Sequence, residues 1–135
     1  GGDILLDIIV LGNVTLDVLC YPVDEVPRRA SLRFERSELQ PGGCGSNTAI
    51  GLAALGARVG LAACAGEDES GALARRTWRR AGVDTRFVRS IPGESSGLSI
   101  VLLDSALQPR FLHTPGANGR VRVDTLEPDA WHAAG

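Results

Sequence analysis

Apolar positions along the chain fall into short continuous runs and longer helix-length stretches, in an order that predicts an α/β fold. Asp7-Ile8-Ile9-Val10-Leu11 is almost unbroken in its apolar character, and Gly12-Asn13 ends it. A run of this kind predicts a strand buried on both faces, as in parallel sheets. Residues 16–21 predict a second extended piece. Residues 28–39, after Pro27, are polar and charged with scattered apolar positions, which suits an exposed strand or flap. Gly42-Gly43-Cys44-Gly45 predicts a loop, because successive glycines leave the backbone free to take φ > 0. Ser46 or Asn47 is a candidate cap for the helix beyond it.

Residues 48–55 predict that helix, buried, with Gly56 at the C′ position. A strand is expected at 58–65, and Glu67-Asp68-Glu69 places acid at the start of a second helix, where it suits the helix dipole. That helix runs to about Ala81, carries Arg75, Arg76, Arg79 and Arg80 near its end, and stops at Gly82. A strand near 86–89 comes next, then two more at 97–103 and 110–114, joined by the turn Asp104-Ser105-Ala106-Leu107-Gln108. The last two form a hairpin inserted into an alternation of strand and helix, and that alternation indicates parallel pairing. No internal repeat or low-complexity linker interrupts the order.

The 135 residues suit one domain with one core, and the net charge of −2 argues against a nucleic-acid footprint. No apolar run approaches the ~20 residues needed to cross a bilayer, so no membrane partner is expected. No charged region followed by an apolar stretch and cleavage site suggests export. The sequence contains no Met, and the expectation is a fragment, cut at least at its C-terminal end.

All 14 basic residues are Arg. A P-loop, a Schiff base and a Ser-x-x-Lys hydrolase each require Lys and are excluded. Cys20, Cys44 and Cys64 are odd in number and not at Cys-x-x-Cys spacing. Reduced, buried thiols in a cytoplasmic protein are expected, rather than a disulfide or zinc site. His113 and His132 lack partners at metal-ligand spacing.

Pro41-Gly42-Gly43-Cys44-Gly45-Ser46-Asn47-Thr48-Ala49, followed by Leu55-Gly56-Ala57, resembles the N-terminal signature of the ribokinase-like, or PfkB, carbohydrate kinases. Val10-Leu11-Gly12-Asn13-Val14-Thr15-Leu16-Asp17 is similar to that family's opening strand, with an Asp five positions after a Gly. Gly66-Glu67-Asp68-Glu69-Ser70-Gly71 looks like its Gly-x-Asp-x-x-Gly turn, and Ala81-Gly82-Val83-Asp84-Thr85 like its Gly-Val-Asp step. Glu94-Ser95-Ser96-Gly97 and Pro115-Gly116-Ala117-Asn118 match later landmarks, and all six stretches occur in the family's order.

The resemblance implies the N-terminal part of a Rossmann-like three-layer ribokinase fold with a small β-strand lid. The core would be roughly 1–17, 41–94 and 115–135, and the lid roughly 18–40 and 95–114. It implies a sugar or sugar-like substrate gripped by Asp17, Gly42, Gly43, Asn47 and Asn118, with Asp68 kept as a structural helix acid. A carboxylate accepts hydroxyl protons and an amide both donates and accepts, so these residue types fit hydroxyls. It implies ATP and Mg²⁺ as cofactors of the complete enzyme, and a homodimer through the lid. No catalytic residue is assigned in this chain. The family's Gly-Ala-Gly-Asp segment, source of the base and the anion hole, has no counterpart: Asp124-Thr125-Leu126-Glu127-Pro128-Asp129 lacks the glycines. Cys44 stands where ribokinases often have Lys, which argues against ribose. The alternatives are a non-catalytic sugar-binding or lid-dimerising module and a dinucleotide-binding domain. The latter is disfavoured, because no Gly-x-Gly-x-x-Gly follows the first strand.

Overall fold

The computed structural model describes residues 5–122. The segment 124–129, His132 and the end of the expected core therefore lie outside the described residues. Two sheets organise the rest. Strands β1 (Ile8–Leu11), β4 (Val59–Gly66) and β5 (Val88–Ile91) form a parallel sheet in the order β1-β4-β5. Strands β2 (Thr15–Tyr21), β3 (Arg36–Gly42), β6 (Leu98–Leu103) and β7 (Pro109–Thr114) form a second sheet, ordered β3-β2-β6-β7. In it β2 runs parallel to β6, while β3 and β7 run antiparallel to their neighbours.

Every residue of β4 is buried, as a central parallel strand requires. Its Val59, Leu61 and Ala63 meet Ala49 of helix α1 (Cys44–Ala54) and Ala74 and Trp78 of helix α2 (Glu69–Arg80) in one cluster. Trp78 donates its Nε1–H to Ser46 Oγ at 2.8 Å, with both residues fully buried. The helices therefore lie on the same face of the sheet and are locked together by a satisfied polar pair. A 3-10 helix, Gly116–Arg120, also lies against β4.

Helix α2 obeys its local signals. Asp68 is the N-cap, Glu69 occupies the first turn, Arg79 and Arg80 the last, and Gly82 comes after them at φ 87°. Its buried residues, Gly71, Ala74 and Trp78, share one stripe. Helix α1 starts earlier than expected. Its N-cap is Gly43, with no side-chain cap bond, so neither Ser46 nor Asn47 caps it: Ser46 is committed to Trp78. At its other end Leu55 is the C-cap and Gly56 adopts φ 94°.

Three further expectations are corrected. Strand β1 is not buried on both faces: Ile8 and Leu11 are each 40% exposed, because β1 pairs only with β4 among the described residues. The strand expected near 86–89 begins at Val88, because Asp84 first bridges to Gly60 and a Thr85–Val88 turn intervenes. Cys20 and Cys64 are buried, but Cys44 is exposed at the first turn of α1. No described helix is long and apolar enough to cross a membrane.

The two sheets are joined where β6 begins. Asp68 Oδ1 accepts from Gly71 N at 2.9 Å and from Ser96 Oγ at 2.6 Å, and Oδ2 accepts from Ser96 N at 2.7 Å. Ser96 Oγ also accepts from Gly66 N, at the end of β4. Partial burial pushes the Asp68 carboxyl upward, but the Ser96 and Gly71 hydrogen bonds outweigh it and hold the group below the usual carboxylate range. A lowered folded value means stabilisation that is present above the unfolded value of about 3.9 and lost as pH falls through the folded one. Asp68→Asn keeps a capping oxygen but turns the second acceptor into a donor facing Ser96 N–H. It should destabilise the chain by about 2 kcal/mol at pH 7 in urea unfolding. The gap to wild type should close below about pH 4, as the wild-type carboxyl protonates; a pH-independent gap would remove Asp68 from this role.

Candidate functional site

Gly12 and Asn13 turn the chain from β1 into β2, and this turn is pressed against the start of α1. A Cβ on Gly12 would stand 2.9 Å from Gly45 Cα, and one on Gly43 would stand 2.6 Å from the Asn13 carbonyl oxygen. Gly45 N donates to that same carbonyl at 2.9 Å. Gly43 also sits at φ 87°, in the left-handed region that a side chain disfavours. The glycines around the helix start thus serve a close backbone approach as well as a turn.

Asn118 fastens the other side of the turn. Its Oδ1 accepts from Val14 N at 2.9 Å, and its Nδ2 donates to Val14 O at 2.7 Å and to Pro115 O at 2.8 Å. The buried amide thus pairs with Val14 much as a neighbouring strand would.

Strand β2 carries Asp17 away from this junction. Thr15 lies opposite Gly42 and Asp17 opposite Gln40. The half-buried carboxylate of Asp17 lies over Gly42, so close that a Cβ there would collide with its carbon and both oxygens. Buried Thr15 donates its hydroxyl to Asp17 Oδ1 at 2.6 Å. Asn47 sits in the first turn of α1, where its backbone N donates to Gly43 O at 3.0 Å. Its side chain is exposed and makes no hydrogen bond among the described residues.

The structure therefore gathers Asp17, Gly42, Gly43 and Asn118 around one turn, with Asn47 one helical turn beyond Gly43. Of these, Asp17 and Asn47 present polar atoms free to bind, whereas the Asn118 amide is engaged with backbone. Thr15 carries no individual signal in the sequence, and Gly12, Gly45 and Ser46 read there only as turn or cap residues, not as the close approach and the Trp78 bond that the structure shows. A cavity of about 420 Å³ lined by Gly66, Glu67, Asp68, Glu69, Ala72, Arg75, Arg76 and Arg79 contains none of the site residues. Among the described residues no three His, Cys, Asp or Glu side chains converge into a cluster that could hold a metal ion.

The family model described as pfkB family carbohydrate kinase matches residues 6–135. The chain belongs to the pfkB family. It is 31% identical over 126 residues to the ATP-dependent ribose-1-phosphate kinase of Halopiger xanaduensis, covering 91% of this chain and 42% of that protein. It is 33% identical over 109 residues to the aminoimidazole riboside kinase of Salmonella typhimurium, covering 78% of this chain and 33% of that protein. The chain thus spans well under half the length of these pfkB relatives. Among solved structures, Arabidopsis thaliana ribokinase complexed with ribose and ATP superposes with a TM-score of 0.82 at 24% identity, covering 95% of this chain and 42% of that one. Fructokinase from Xylella fastidiosa gives 0.76 at 25% identity, covering 94% and 38%. The fold is the Rossmann-like ribokinase fold, of which the described residues supply parallel strands, one helical layer and a mixed β-sheet.

The glycine geometry can be tested within the pfkB chain itself. Gly43→Ala should destabilise by at least about 1–2 kcal/mol, from the left-handed φ alone, before the contact with Asn13 is counted. Gly51→Ala, in the interior of α1 with open space around it, should instead stabilise by roughly 0.5–1 kcal/mol. Equal effects of the two in urea unfolding would contradict the close-approach reading.

Proposed function

We propose that this chain is the acceptor-binding part of an ATP-dependent kinase that phosphorylates a hydroxyl of a sugar or sugar-like substrate. The observation that carries the reading is the Asp17 carboxylate, held over the bare backbone of Gly42 by Thr15. One lone pair of Oδ1 is engaged by Thr15, and the remaining acceptor positions suit substrate hydroxyls. Asn47, with its amide unengaged among the described residues, supplies both a donor and acceptor nearby. Gly42 and Gly43 contribute by lacking side chains: Gly42 leaves the space in which the Asp17 carboxylate sits, and Gly43 the space against the Asn13 carbonyl. Asn118 acts through Val14, fixing the turn from which β2 departs.

Once water is excluded, a polar pairing of this type discriminates strongly, because an acceptor lacking the hydroxyl leaves the carboxylate unpaired. Segments 18–40 and 95–114 form the lid over the acceptor and the described core segments 5–17, 41–94 and 115–122 its floor, excluding water from the reacting hydroxyl. Leu39, Phe111 and Leu112, exposed on the edge strands, support pairing of two copies through that lid. ATP with Mg²⁺ supplies the phosphoryl group when bound. Residues 5–122 bind and orient the acceptor, and the base and anion hole come from elsewhere in the complete kinase, which acts in the cytoplasm.

In the complete kinase, Asp17→Ala should raise the acceptor KM, each lost bond to the charged group costing about 1.5–3 kcal/mol, or roughly tenfold to a hundredfold. The 135-residue chain alone should show no acceptor-dependent ADP release, against the 1–100 per second usual for kinases. Wild-type acceptor kinetics in Asp17→Ala would overturn the site. Ordinary turnover by the isolated chain would show that catalytic groups lie within it.

A further inference from the structure

Asp17 is one member of a row that crosses the whole four-stranded sheet. Its register partner on β3 is Gln40 and on β6 is Ser99, and Ser99 in turn lies opposite His113 on β7. Register partners on paired strands point to the same face, because side chains alternate with a period of two. Gln40, Asp17, Ser99 and His113 therefore share the face that carries Thr15 and the carboxylate. Ser99 Oγ and His113 Nδ1 stand 2.8 Å apart, with either group able to donate. Neighbouring strands are ~4.8 Å apart, so the strand of His113 runs roughly 10 Å from that of Asp17.

The rows on either side differ in character. One row further along β2, the face presents Leu19, Val101 and Phe111, with Glu38 on the edge strand. In the other direction Thr15 pairs with Gly42, where the sheet meets the core. Polar side chains thus span all four strands at the level of Asp17, next to the start of α1. Ser99 is half-buried and His113 exposed, and with Nδ1 engaged by Ser99 the imidazole keeps Nε2 without a partner among the described residues. Neither residue belongs to the motifs that carry the family resemblance.

We propose that Ser99 and His113 are specificity-determining residues of the acceptor site, hydrogen-bonding a second polar substituent of the acceptor beyond the hydroxyls held by Asp17. The inference rests on the reading of Asp17 as an acceptor ligand. The favoured substituent is a hydroxyl, since a hydroxyl both donates and accepts and so satisfies Nε2 in either imidazole tautomer. The row then measures the acceptor: its carboxylate end takes one hydroxyl group, and its imidazole end requires another on the lid side.

The test uses the complete kinase with D-ribose, deoxyribose, D-fructose and ribose 1-phosphate as acceptors. His113→Leu should lower kcat/KM for the preferred hydroxylated acceptor by about tenfold or more, the loss expected for one substrate hydrogen bond. The KM for ATP should stay within about twofold, and the ranking of the four acceptors should flatten. His113→Gln, which keeps a donor and an acceptor, should recover most of the loss. Ser99→Ala should shift the ranking in the same direction, and melting temperatures should show that each variant is folded. An unchanged ranking in both His113→Leu and Ser99→Ala, with Asp17→Ala still losing acceptor affinity, would overturn this inference and leave the acceptor site standing. An Asp17→Ala enzyme with normal acceptor kinetics would remove both.

Discussion

The Asn13 carbonyl lies against the start of helix α1, and the placement of every candidate site residue depends on that contact. It brings two backbones closer than side chains permit, which is why Gly12, Gly43 and Gly45 surround it. With the helix start fixed there, Gly42 falls opposite Thr15, and the Asp17 carboxylate settles over the gap that a missing Cβ leaves. Asn118 closes the arrangement from the other side by satisfying both backbone groups of Val14. A buried backbone N–H and C=O left unpaired there would each carry a desolvation cost of about 1–3 kcal/mol.

Paired polar groups also join the two sheets. The parallel sheet gains its core from β4 and the Trp78 cluster, whereas the edge strands β3 and β7 are largely exposed. The second sheet is anchored at its root by Asn118 on Val14 and by Asp68 on Ser96. Both anchors sit where strands pass between the sheets, leaving the far end of the second sheet free of helical cover among the described residues. An acceptor held between Asp17 and α1 would lie at this root. There the backbone is most constrained, and the polar row that includes Asp17 continues from it onto β6 and β7.

Much of this is legible locally. Helix α2 can be read from its acid cap, terminal arginines and C′ glycine, because each signal acts within one helical turn. The hairpin β6–β7 is evident from two apolar runs around a polar turn, and Asp17, Gly42, Gly43 and Asn47 stand out through an ordered set of motifs. The cap of α1 is different, because local rules favour a polar side chain there, whereas the contact of Gly43 and Gly45 with Asn13 starts the helix earlier. Strand β1 reads as doubly buried because an apolar run records which residues tolerate burial, not whether a neighbouring strand is present.

The sequence by itself determined the order of strands and helices, the family, and the chemical type of the candidate site groups. These depend on residue identity and on spacings of a few positions. Only the tertiary structure decided which of those groups remain free to bind. Asn118 lies 104 positions from Val14 and Ser46 lies 32 from Trp78, and no local pattern reveals that each is committed to a partner so distant. The placing of Thr15 beside Asp17, and of Ser99 with His113 in the same row, comes from strand register. Register is set by which faces the assembled sheets must bury, a property of the packed molecule rather than of any segment.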